Sequence, residues 1–171
     1  FRGIDYMLSE ISENSEDLTL ATTSEEVVKA KKEGKIAMIF CFEGAEPIED
    51  DLCLLRTYYR LGLRCVGLSH NMRNSLVDGV MVRSNSGLSD WGVQAIEEMN
   101  RIGIIVDVSH VSYRGVLDAV EVSKDPVVAS HSNAYSVCNH IRNLRDEQIH
   151  ALAESGGVIG IHFLGPLVSE K

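Results

Sequence analysis

Five residues in this chain stand where chemistry is easiest to build. Glu43, His70, His110, His131 and His162 each close a short apolar run: "KIAMIFCFEG", "LRCVGLSH", "IIVDVSH", "PVVASH" and "VIGIHF". A single histidine at such a position more often packs or hydrogen-bonds than holds a metal, and a lone Glu43 beside "EPIEDD" reads as a cap or an ion-pair residue. Together they point elsewhere. A glutamate and several histidines delivered by successive strands are the donors that borderline divalent ions such as zinc prefer, and a carboxylate can bridge two of them. His110 and His131 sit in the matched contexts "DVSH" and "VASH", so they are expected to reach one ion. Two ions about 3.5–4 Å apart can share a hydroxide and polarise a carbonyl. Asp107 is expected to face away from His110 and to support the site without joining it. His140 reads as turn packing, and His150, inside "DEQIHALAE", as a surface or packing residue.

Residues so placed need elements to carry them. Apolar runs alternate with amphipathic stretches along the whole chain. Thr23 and Glu26 in "TSEEVVKAKKEG" have the spacing of a capping box, and Gly34 supplies a stop. Helices are predicted likewise in "IDYMLSEISE", "DDLCLLRTYYRLG", "SDWGVQAIEEMNRIG", "YRGVLDAVEVS" and "RDEQIHALAESGG". The acidic run Glu46 to Asp51 reads as a helix amino terminus, where negative charge is favoured. Trp91, Tyr58 and Tyr59 fit helix faces packed on a sheet. Strands apolar on both faces and separated by helices make a parallel α/β sheet, either doubly wound or a barrel. Five polar strand ends favour the barrel, whose strands all open on one mouth. The expectation is a single domain over residues 1–171, a partial TIM-type (β/α)8 barrel with about five of its eight units. A closed barrel takes about 250 residues, so the chain is expected to be an internal fragment lacking units at both ends. The stretch 71–88 is long for a βα connection and reads equally as a lid or specificity wall and as a solvated loop.

Bulk properties narrow the partners. The 171 residues are 44% hydrophobic with a net charge of −9, enough for a core and wrong in sign for a nucleic-acid or anionic-membrane surface. No run approaches the roughly 18 apolar residues of a membrane span, and no signal peptide is evident. Cys41, Cys53, Cys65 and Cys138 form no C-x-x-C pair and are expected to be buried free thiols, which suits a cytoplasmic location. The first residue is Phe1, so the natural amino terminus is expected to lie outside the sequence.

The runs "FEG", "GLSHN", "GLSDWGVQAIEEMNRIGIIVDVSHVS" and "PVVASHSNAYSVCNHIRNLRDEQIHALAESGGVIGIHF" resemble the membrane (renal) dipeptidase family, the zinc dipeptidases of peptidase family M19. The likeness runs from about Ile36 to Phe163. It implies two zinc ions bridged by Glu43, with His110 and His131 on the second, and hydrolysis of dipeptides through a metal-bridging hydroxide. It implies also that His70 contacts the substrate and steadies the tetrahedral transition state, and that Arg142 of "HIRN" binds substrate, its planar fork matching a carboxylate. A homodimer is a further family implication. The family's His-x-Asp motif, which completes the first zinc, has no counterpart here, and its late aspartate falls beyond Lys171. An isoleucine, Ile141, stands where relatives often carry proline. The chain alone is therefore expected to be inactive. Competing readings are another metal-dependent amidohydrolase on the same barrel, or a non-catalytic relative or fragment.

Overall fold

The computed structural model describes residues 1–169. Helix α1 (Arg2–Glu13) leads to a three-residue strand, β1 (Leu18–Leu20), which pairs in parallel with β2 (Ile36–Met38) across α2 (Ser24–Lys32). Helix α2 starts as its sequence predicts: the Thr23 hydroxyl accepts from Glu26 N–H while the Glu26 carboxylate accepts from Thr23 N–H. Gly34, at φ 73°, follows its end.

The run "KIAMIFCF" is two strands, where its sequence predicts one. It breaks at Ile39, because its halves serve different partners: β2 stays with β1, whereas β3 (Phe40–Phe42) pairs with β4 (Leu63–Gly67). Strand β1 itself is too short for a periodic pattern to announce it.

From β3 onward the chain alternates strand and helix: α3 (Leu52–Arg60), β4, α4 (Asp90–Ile102), β5 (Ile105–Asp107), α5 (Tyr113–Val122), β6 (Val128–Ser132), α6 (Asp146–Glu154), β7 (Val158–Ile161) and a short α7 (Gly165–Val168). Asp51, Ser89 and Ser112 cap α3, α4 and α5 with their side chains. Of the acidic run, Asp51 alone caps α3; residues 46–48 form a 3-10 turn, and Glu49 and Asp50 take left-handed backbone. The sheet is wholly parallel in the order β3-β4-β5-β6-β7. An unbroken sequential order has no switch point, so every crossover steps the same way, as in a (β/α) barrel and unlike a doubly wound sheet. The architecture is a partial TIM-type barrel.

The two faces of the sheet differ. Val66, Val106 and Ala129 point outward and are buried against Leu55, Ile96, Met99, Val116 and Leu152 from the covering helices. Each of these Val, Leu, Ile and Met side chains contributes about 1.5–3 kcal/mol. The register Cys41–Cys65–Ile105, with Asp107 opposite Val128 and Val128 opposite Val158, defines the inner face. On that face Cys41, Ile105 and Val158 are exposed. All four cysteines are free thiols, but only Cys65 and Cys138 are buried. Cys41 departs from expectation because it lies on the inner face; Cys53 does so because it stands on the solvent side of α3.

Candidate metal centre

Strand alternation alone would scatter the candidate residues, and two local irregularities gather them. In β6, Ala129 lies opposite Ile159 and Ser132 opposite Ile161, so three steps on one strand face two on the other. Such a bulge re-aims side chains. It turns Ser130 and His131 together toward the mouth and leaves Ser132 buried behind them. In β5 strict alternation would send His110 outward with buried Val108. Instead His110 takes a left-handed backbone, φ 70°, uncommon for a residue with a side chain and costing about 1–3 kcal/mol. That twist returns its ring to the mouth. Glu43 leaves β3 just before Gly44, where a Cβ would meet the Glu46 carboxylate at 2.3 Å.

Four expected residues therefore meet. Glu43 Oε1 lies 3.2 Å from His110 Nε2, 3.2 Å from His131 Nε2 and 3.9 Å from His70 Nε2. The Nε2 atoms of His110 and His131 are 2.9 Å apart. The opposite ring nitrogens have acceptors of their own. His110 Nδ1–H donates to Asn71 Oδ1 at 2.7 Å, and His131 Nδ1–H donates to the Ser130 hydroxyl at 2.7 Å, which in turn donates to Asp107 Oδ2. With each proton held at Nδ1, each Nε2 presents a lone pair. Two lone pairs and a carboxylate then converge with no hydrogen between them. Mutual repulsion is relieved by a cation, and the donor set of two imidazoles and one carboxylate is the kind that binds zinc with an open position. The residues fit a divalent ion.

Protonation does not offer an alternative. Burial, then the Arg142 guanidinium, push His110 down to about 3, and the same causes lower His131. Both rings are neutral near pH 7. Nothing has to be displaced from them before a metal binds.

Asp107 is buried, and its Oδ1 accepts from the N–H groups of Ser109 and Ser130 at 2.9 and 3.0 Å. Contrary to expectation it shares the inner face to which His110 is turned, lining a cleft with Glu43 and His131, and it acts on His131 through Ser130. It also lies near the thiols of Cys41 and Cys65, but three protein donors already occupy its oxygens. Arg142 is buried, with Nη2 donating to the His131 carbonyl at 3.2 Å. It lines, with His110, a cavity of about 260 Å³ bounded by Val80, Val82, Tyr113 and Tyr135. The His162 ring lies 5.4 Å from that of His131, tilted by 55°, while His140 Nδ1 accepts from the Arg142 N–H and His150 is exposed. Asn71 and Ser130 escaped the sequence reading. Their only signal is adjacency to a candidate histidine, in "SHN" and "ASH".

Comparison with known proteins places these observations in a lineage. A profile described as membrane dipeptidase (peptidase family M19) matches residues 2–171. An uncharacterized dipeptidase of Schizosaccharomyces pombe is 38% identical over 94% of this chain and 40% of its own length. Dipeptidase tcpJ of Claviceps purpurea is 36% identical over 100% of this chain and 40% of its own. A metallo peptidase from Rhodobacter sphaeroides, solved with a phosphinate mimic of the dipeptide L-Ala-D-Ala, superposes with a TM-score of 0.90 at 31% identity, covering 97% of this chain and 49% of that one. The chain thus spans 40% of the length of these curated relatives. Among the described residues no helix is long and apolar enough to cross a membrane.

Proposed function

The chain belongs to the membrane dipeptidase family, peptidase family M19, and on that premise we propose that the protein is a zinc-dependent dipeptidase whose metal is held by Glu43, His110 and His131. The observation that carries the proposal is the convergence of Glu43 Oε1 and two Nε2 lone pairs within 2.9–3.2 Å of one another. A bound zinc ion supplies Lewis acidity, which lowers the pKa of water and polarises a carbonyl oxygen. The chain's own residues do the rest. Glu43, more exposed than either histidine ligand, has a second carboxylate oxygen with which to reach another ion.

His70, half-exposed and 3.9 Å from Glu43, stands at the rim, where its ring can donate to an oxygen that gains charge during attack on a peptide carbonyl. Arg142 spends one donor on the His131 carbonyl and keeps others for a substrate carboxylate. Such a contact selects the peptide bond next to a free carboxyl terminus, the position of the one peptide bond of a dipeptide. The L-Ala-D-Ala mimic held by the Rhodobacter sphaeroides relative puts dipeptides with a carboxyl-terminal D-residue on the substrate panel. The intact zinc-loaded protein is expected to hydrolyse free dipeptides, lose that activity to a chelator and regain it with zinc, whereas residues 1–171 alone are expected to be inactive. Arg142→Ala is expected to raise KM for dipeptides with metal content unchanged. Turnover of cyclic or acylated amides with none of dipeptides would refute the substrate assignment.

A further inference from the structure

The connection 71–88 is anchored to the core through residues 76–79, while residues 83–86 are exposed. Leu76 and Val77 are buried in the core, and Asp78, 2% exposed, accepts from Arg73, Ser84 and the Ser86 N–H. The Arg73 guanidinium holds that carboxyl well below the usual carboxylate range. So anchored, the loop lies along the end of β5: Gly79 bridges Val111, and Ser112 N–H donates to the Asp78 carbonyl at 2.9 Å.

Its two ends grip one residue. From one side Asn71 Oδ1 takes the His110 Nδ1–H at 2.7 Å; from the other, Val80 N–H donates to the His110 carbonyl at 2.8 Å. Asn71 is itself left-handed, φ 64°, and Met81 N–H donates to its carbonyl at 2.9 Å, which closes the loop on itself. The closure needs Gly79, because a Cβ there would sit 2.2 Å from the Asn71 carbonyl carbon and oxygen.

We propose that residues 71–81 form a clasp that holds His110 in its strained backbone and fixes its proton at Nδ1, with Asn71 as the positioning residue that sets metal affinity. The inference rests on the metal reading of Glu43, His110 and His131, but not on the dipeptidase assignment. An unclasped His110 is free to rotate, to place its proton on Nε2, or to relax its backbone outward, and each lowers affinity for an ion. Partners that orient metal-bound histidines are typically worth about 10- to 100-fold in affinity.

The test is zinc affinity of the full chain, measured by competition with a chromophoric chelator, beside thermal unfolding of the metal-free protein. Asn71→Ala is expected to bind zinc about 10- to 100-fold more weakly while unfolding at nearly the wild-type temperature. Asn71→Asp, which keeps an acceptor for Nδ1–H, is expected to recover most of the loss. In ¹⁵N-detected spectra the wild-type His110 ring should carry its proton on Nδ1, and the Asn71→Ala ring should show a mixture. Wild-type zinc affinity in Asn71→Ala would overturn the clasp, as would a loss that merely tracks unfolding. A wild-type chain that binds no zinc would overturn the metal reading and the clasp with it.

Discussion

Asp107→Asn changes one atom and should reverse two linked hydrogen bonds, Ser130–Asp107 and His131–Ser130. In the native site the carboxylate accepts from Ser130, so the serine oxygen must accept from His131 Nδ1–H, and Nε2 is left bare. The substituted side chain can keep its Oδ1 acceptor for the Ser109 and Ser130 N–H groups, so the backbone has no reason to move. Its amide nitrogen, however, now donates to Ser130, whose hydroxyl hydrogen turns to His131 Nδ1 at 2.7 Å in preference to the Ser109 hydroxyl at 3.3 Å. The imidazole proton is driven to Nε2, the nitrogen that faces Glu43 and His110. Restoring a bare Nε2 for a metal leaves one buried polar group unsatisfied, a penalty of about 1–3 kcal/mol. At 1.36 kcal/mol per decade this is roughly a 10- to 100-fold loss of zinc affinity. Chelator competition reads the affinity, and ¹⁵N spectra of the metal-free protein read the tautomer. Ser130→Ala should show a comparable loss, and the double variant should be little worse than Ser130→Ala alone, because both act through one path. Zinc affinity within about twofold of wild type in Asp107→Asn would refute the reasoning.

Other consequences can be measured on the same protein. Burial, then the Arg142 guanidinium, push His110 down to about 3 from the ordinary 6.5, so the unfolded state takes its proton first as pH falls. The stability of the metal-free protein should therefore be fully present above about pH 6.5 and decline toward pH 3, by about 2 kcal/mol between pH 6.5 and pH 5. Urea midpoints that stay constant over that interval would contradict it. Ile96, fully buried between α4 and the sheet, should cost about 2–5 kcal/mol when cut to alanine, with zinc affinity per folded molecule unchanged. A selective loss of metal binding in Ile96→Ala would show that the core and the site are coupled more tightly than their separation on opposite faces of the sheet implies.

Much of this was legible in sequence because periodicity and strand ends are local signals. Helices α2 to α6 declared themselves through caps and apolar spacing, and Glu43, His70, His110 and His131 did so by ending apolar runs. What stayed hidden was set by departures from regularity. Simple alternation cannot foresee that β6 carries an extra residue at Ser130–His131, or that His110 turns left-handed, yet these two irregularities bring the rings together. Asn71 reaches His110 across 39 positions, and no local pattern joins them. The split of "KIAMIFCF" and the exposure of Cys41 depend on which strands pair and which face is covered. Both are tertiary facts.

Zinc binding at Glu43, His110 and His131 is tested most directly by zinc-edge anomalous diffraction from the protein crystallised with zinc. A peak bound by His110 Nε2, His131 Nε2 and Glu43 at about 2.0–2.2 Å is expected. Anomalous density at the Cys41–Cys65 thiols alone, or none near the three Nε2 and carboxylate donors at saturating zinc, would contradict it.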